Sequence, residues 1–213
     1  MGPGTAAIDG SERADAPAGG PTGRIGPNAI TRVAEALHAE VGAARTRALF
    51  GHAQVEHHLQ APPQHMVDEG DVRRLHRALY ELLGAEQARR VSRTAGDLTG
   101  AYLLRHRIPA AVQLLLRLLP APLAARLLGA AIARHAWTFA GSGSFRARSA
   151  RPVCFTLSAC PICHGVRATT ARGDYYAACF QRLFRTLVSR RATVTETTCE
   201  ATGSDACRFE VLW

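Results

Sequence analysis

Apolar positions recur every three to four residues through the first two-thirds of the chain and every second residue near its end, so helices come first and strands later. From Pro27, which suits a first helical turn, Ile30, Val33, Ala34, Leu37 and Val41 share one face of a long amphipathic helix. After the turn "APPQH" at 61–65, "DEGDVRRLHRALYELLG" opens on acidic residues that favour a helix N-terminus and continues with Val72, Leu75, Leu79, Leu82 and Leu83. A third helix carries Val91, Leu98, Tyr102 and Leu103 and stops at Pro109.

Residues 110–140 form the most apolar part of the chain, interrupted by Arg117, Arg126 and Arg134. No window reaches the roughly 18–20 apolar residues of a membrane span. Pro120 and Pro122 divide the segment into two helices. These are either core helices with surface arginines or helices whose arginines lie at an anionic lipid surface while the leucines dip inward, a peripheral membrane contact.

Beyond Gly141 the period changes. "GSFRARSA" and "PVCFTLSA" alternate like strands, "DYYAACFQRLFRTLVSR" returns to helical spacing, and "ATVTETTCEA" with "CRFEVLW" read as two strands joined by the turn "TGSDA". Helices followed by strand, strand, helix, strand, strand predict an α+β fold, N-terminal helices packed on a small antiparallel sheet, and not a βαβ nucleotide fold.

Length adds that 213 residues suit one domain, assigned to 24–213. Residues 1–23, rich in Gly, Ala and Pro, lack the apolar surface needed to offset ordering and read as a disordered tail. This N-terminus has acidic residues and no apolar run, so it resembles neither a secretory signal nor a transit peptide, and the expected location is the cytoplasm. The formal charge of +9 is carried by arginine. It fits polyanions, an anionic membrane face or carboxylate-bearing ligands, and it also fits a general compositional bias toward arginine.

Six cysteines in a cytoplasmic chain point to metal binding or burial before disulfides. Cys160-Pro-Ile-Cys163-His164 matches the c-type haem attachment pattern, but that chemistry belongs outside the cytoplasm, and the only methionines are Met1 and Met66. A thioredoxin-type couple lacks its βαβ surroundings. The zinc reading gains from "ETTCEATGSDAC", where Cys199 and Cys207 face each other across one turn, with Glu196 just before them. Adjacent strands lie about 5 Å apart, so these thiols can converge on one ion, and Cys160 with Cys163 completes a tetrahedral set in which His164 or Glu196 is a possible substitute. Cys154 and Cys179 read as small buried hydrophobes.

The run "VTETTCEATGSDACRFEV" resembles the end of a vinyl-4-reductase domain, a family related to bacterial sensors of aromatic compounds and to TRAPP subunits. "GRIGPNAITRVAEAL" is similar to the start of bacteriochlorophyll biosynthesis proteins labelled 4-vinyl reductase, so the resemblance spans about residues 23–213. It implies a TRAPP-like fold, dimerisation through N-terminal helices, and a pocket between helices and sheet. It also implies metal ligation by Glu196, Cys199 and Cys207. The sensors place a further cysteine 23 residues before the acidic ligand, where this chain has Gly173, so the fourth ligand is sought in the CPICH stretch.

The family label implies reduction of a vinyl group on a divinyl (proto)chlorophyllide. "GSGSFR" fails the dinucleotide fingerprint at Arg146, and no acidic residue is placed to hold a ribose. A closed zinc site does no redox chemistry, while the same cysteines also suit an iron–sulfur cluster. The preferred expectation is therefore a protein that binds a magnesium tetrapyrrole and delivers it to other pathway enzymes. The alternative is a reductase drawing on an external electron donor. Trp137, Phe139, Tyr175 and Tyr176 are candidate walls for the pigment or ordinary core, and His135 is a candidate magnesium ligand or a surface histidine. No helix-turn-helix or ATPase segment supports a transcriptional sensor, and no nucleic-acid partner is expected.

Overall fold

The computed structural model describes residues 23–213. The expected tail falls outside them except for Gly23, whose carbonyl accepts the Glu69 N–H at 2.9 Å. The elements are β1 (Arg24–Ile25), α1 (Asn28–His52), α2 (His57–Gln60), β2 (Val67–Asp68), α3 (Glu69–His106), α4 (Ala110–Leu118), α5 (Ala121–Arg134), β3 (Ser144–Arg148), β4 (Val153–Ser158), α6 (Asp174–Leu187), β5 (Thr193–Thr198) and β6 (Cys207–Leu212). The fold is α+β, with helices packed on a four-stranded antiparallel sheet of order β3-β4-β6-β5. The two-residue strands β1 and β2 form a separate antiparallel pair.

The helical periods materialise with one refinement. The second and third expected helices are two halves of α3, joined at Gly84, whose φ of 74° breaks the helical path without ending it. Asp68 caps α3 by accepting the Gly70 N–H at 2.6 Å, and Glu69 and Asp71 place negative charge in its first turn. Pro120 separates α4 from α5 because its ring cannot continue the preceding helix.

Strict alternation makes the sheet one-sided. Val153, Phe155 and Leu157 of β4 and Cys207, Phe209 and Val211 of β6 all point into the core. Helix α6 lies between this face and α3. Its Phe180 packs 4.9 Å from Phe155 and 5.7 Å from Phe209, ring centroid to centroid. On its other side, Tyr175 shares a 3.0 Å hydrogen bond with Thr99 of α3. Asp174, at the start of α6, accepts from Arg89 at 3.1 Å and Arg93 at 2.8 Å, a double tether that also places an acid at a helix N-terminus.

One buried group makes this core acid-sensitive. His76 of α3 is enclosed beside Tyr175, and neither ring nitrogen has a partner among the described residues. Burial lowers its pKa from the ordinary 6.5 to about 4. Between those values the unfolded chain binds a proton that the folded chain refuses. Stability therefore falls as pH drops from 6.5 to about 4 and levels off below, with a total loss of about 3 kcal/mol. Urea unfolding across this range should show that slope in the parent, and a His76→Phe variant should lack that part of it.

Candidate metal centre

The centre is assembled from two loops at one end of the sheet. In the first, β5 runs through Glu196, paired with Phe209, and a bulge between Glu196 and Thr198 shifts the register before the chain leaves the sheet at Cys199. A 3₁₀ turn, Glu200–Thr202, and Gly203 in the left-handed region (φ 96°) reverse the chain so that Cys207 opens β6. The two thiols stand 3.9 Å apart, sulfur to sulfur.

The second loop follows β4. Cys160-Pro-Ile-Cys163 closes a turn in which the Cys163 and His164 amides donate to the Cys160 carbonyl at 3.0 and 2.7 Å. Glu200 fastens this loop to the hairpin. One of its carboxylate oxygens accepts the Cys160 N–H at 3.1 Å and lies 3.2 Å from His164 Nδ1. Cys163 then reaches within 3.6 Å of Cys199.

Sγ atoms of Cys163, Cys199 and Cys207 and a carboxylate oxygen of Glu196 all lie within 4.8 Å of one another, a group that could hold a metal ion. An ion bound tetrahedrally at about 2.3 Å from each sulfur requires sulfur–sulfur edges of about 3.8 Å. The observed 3.6 and 3.9 Å match. All four cysteines, Cys160 included, are fully buried.

The carboxylate supplies a second sign of fit. Glu196 Oε2 accepts the Gly173 N–H at 2.7 Å, while Oε1 is buried with no partner among the described residues. A buried lone acceptor is costly unless something positive meets it. In the protein alone, burial and then the charge of Cys199 push this carboxyl up to about 8. Gly173 is required here, because a Cβ would lie 2.5 Å from the same carboxylate. Where the sensors carry a cysteine, this chain brings Glu196 up to the backbone and supplies Cys163 from the other loop.

Cys160 touches Cys163 and Cys207 but is not one of the four mutually close groups. Although burial opposes its ionisation, hydrogen bonds from Cys163, Cys207 and nearby amides hold its thiol down to about 5, and Cys163 is driven up in turn. His164 is exposed and turned toward Glu200, outside the cluster. Glu200 escaped sequence reasoning, since an acid in a turn is ordinary until the loop it pins is known. Besides fastening that loop, its amide donates to Cys207 Sγ at 3.5 Å, an outer contact of the kind that orients metal ligands.

The remaining candidates scatter. Tyr175 and Tyr176 are buried among α6, α3 and the sheet, and the Tyr176 hydroxyl donates to the Phe139 carbonyl at 3.0 Å. Trp137 is 63% exposed, so the four proposed walls do not enclose one cavity. His135, at the end of α5, is exposed, with Nδ1 2.9 Å from the Ala131 carbonyl. Cys154 is half-buried on β4, and Cys179 is buried on α6, where enclosure and then Asp97 raise its thiol to about 12. A second group, His57, His58 and Asp71, was missed by sequence reasoning, but Asp71 is also paired with Arg74 and sits in the first turn of α3.

The family model of the vinyl-4-reductase domain matches residues 153–212, from β4 to β6, and so contains both loops of the centre. A protein named bacteriochlorophyll synthase 23 kDa chain, from Cereibacter sphaeroides, is 44% identical over 89% of this chain and 90% of its own length. The chain belongs to this family of vinyl-4-reductase-domain proteins. A second member of the same name, from Rhodobacter capsulatus, is 39% identical over 87% of this chain and 85% of its own. Among solved structures, an H-NOX protein from S. oneidensis in the Fe(II)NO ligation state shares the fold at a TM-score of 0.50 and 9% identity, covering 88% of this chain and 98% of that one.

Proposed function

We propose that this protein serves bacteriochlorophyll biosynthesis by binding a magnesium tetrapyrrole of the divinyl (proto)chlorophyllide type at the vinyl-reduction stage and handing it to other enzymes of the pathway. Zinc in the Cys163, Glu196, Cys199 and Cys207 centre fastens the CPIC loop to the β5–β6 hairpin, with Cys160 in reserve. Three thiolates and a carboxylate in a closed, buried set suit a structural ion. The relatives named as bacteriochlorophyll synthase chains, aligned over nearly the whole chain, support the pathway.

The observation that carries the pigment reading is the setting of His135. Its Nδ1–H donates to the Ala131 carbonyl, which leaves Nε2 as a free base at an exposed position, two residues before exposed Trp137. An imidazole held in this way is the usual form of a histidine that ligates a metal, and an exposed indole offers a face to a flat macrocycle. The aromatic interior is filled by packed rings, so the pigment is carried at the surface.

Divinyl chlorophyllide titrated into the purified protein should shift its absorption bands and bind one per chain. His135→Ala should weaken binding about tenfold or more without changing thermal stability, as expected for loss of an exposed ligand of this kind. Absence of binding overturns the proposal. Turnover of the substrate with NADPH and no second protein also overturns it, in favour of an enzyme.

A further inference from the structure

The charge of the chain is concentrated in one region. Between Leu98 and Gly173 there are ten arginines and no aspartate or glutamate, so the formal excess of +9 resides entirely in this stretch. The same stretch holds seven of the nine large hydrophobic residues that stand exposed among the described residues. On α4 these include Leu114 (58% exposed), Leu115 (54%) and Leu118 (75%); on α5 they include Leu123 and Leu127; Trp137 follows. Leaving so many leucines in water is costly, at roughly 25 cal/mol per Å² of apolar area.

A cleft lies beside this face. Arg117 of α4 and Arg182, Arg185 and Arg190 from α6 and the turn after it line a cleft of about 590 Å³, with no acidic residue among its walls. Arg117 and Arg185 donate their Nε–H groups to the Thr186 and Ala192 carbonyls, at 3.2 and 2.9 Å. Those two bonds fix the guanidinium stems and leave terminal N–H groups available. Arg117 belongs to both features, because it lies within one turn of Leu114 and Leu118.

We infer that α4, α5 and this arginine cleft form a docking surface for an anionic phospholipid bilayer, with the leucines and Trp137 entering the headgroup boundary and the cleft receiving lipid phosphate. No helix of the described residues is long and apolar enough to cross a membrane, so the helices lie in the plane of the surface. A cationic surface around exposed leucines is complementary to negative lipid. A second copy of the chain would instead bring two cationic faces together. The inference does not depend on the pigment reading.

The test is co-sedimentation of the full-length protein with phosphatidylglycerol vesicles and with phosphatidylcholine vesicles. Binding is expected to the anionic vesicles, to fall at least about tenfold in 0.5 M NaCl, and to be far weaker on the neutral ones. Leu114→Asp with Leu118→Asp, both on exposed positions, should abolish it, and Arg117→Glu with Arg190→Glu should reduce it about tenfold or more, while circular dichroism and Tm remain those of the parent. Brominated phosphatidylglycerol should quench the fluorescence of Trp137 in a Trp213→Phe background. Equal partition onto both lipids, no partition at all, or a dimer in ultracentrifugation that the leucine substitutions dissolve while vesicles bind nothing would each overturn the inference.

Discussion

Replacing Cys199 with serine is expected to empty the metal centre and lower Tm by about 10 °C. Cys199 is the hub of the site: its sulfur is within 3.6 Å of Cys163 from one loop and 3.9 Å of Cys207 from the other. Serine keeps the volume but not the thiolate, so an ion would keep contacts on either side with no donor between them. Loss of a bound metal is among the few single changes that cost about 4 kcal/mol. For a domain of this size each kcal/mol is worth about 2–4 °C. The measurement is zinc per chain by mass spectrometry, with a thermal melt of parent and variant side by side.

Cys160→Ser is the control, because Cys160 stands outside the four mutually close groups. It should retain zinc near one per chain. If Cys160→Ser loses the metal while Glu196→Gln keeps it, the ligands are four thiolates and the carboxylate is only a neighbour. Cobalt substitution reads the same question through the number of sulfur-to-metal charge-transfer contacts.

Why the two halves of this site differ in legibility follows from sequence separation. Cys199 and Cys207 sit at the two ends of one short turn between strands, and adjacent strands have a fixed spacing, so their approach is a local consequence of the hairpin. Cys163 meets Cys199 across 36 residues, and nothing in the spacing of the CPICH stretch says which of its three donors turns inward. The answer depends on Glu200 pulling on the Cys160 amide and His164, a contact visible only once both loops are in place.

The fold divides in the same manner. Each long helix and each strand of the main sheet is readable from its period, since amphipathic spacing records which side faces the core. The strand order is not, because inserting β6 between β4 and β5 depends on non-local pairing such as Leu157 with Cys207. The β1–β2 pair went unseen, being two residues on each side with Ile25 opposite Val67, too short for any alternation to register. Tyr175 and Tyr176 were ambiguous between pocket wall and core for a physical reason. On α6, adjacent positions face different layers, so both are buried whether or not a cavity lies between those layers.

The second large effect joins the helical layer to the metal centre. Gly96→Val is expected to destabilise the protein by about 3–5 kcal/mol and to weaken zinc binding, although Gly96 touches no ligand. A Cβ at this position would lie 2.2 Å from the Tyr175 carbonyl oxygen and 2.9 Å from the Ala178 Cβ, so α6 cannot keep its present distance from α3. The first obstacle is backbone, which no rotamer change relieves, and overpacking of this kind costs about 1–3 kcal/mol or more. Lost contacts add to it, as the Tyr175–Thr99 hydrogen bond and the Asp174 tethers to Arg89 and Arg93 all span the same interface. Displacing the start of α6 also moves Gly173, whose amide holds Glu196 at 2.7 Å. The carboxylate would then lose its one anchor and its alignment with the three thiols. Competition against a chelator should show weaker zinc retention in Gly96→Val than in the parent, at a temperature where circular dichroism reports both as folded. Destabilisation with unchanged zinc affinity would show that α6 supports the core without positioning the centre.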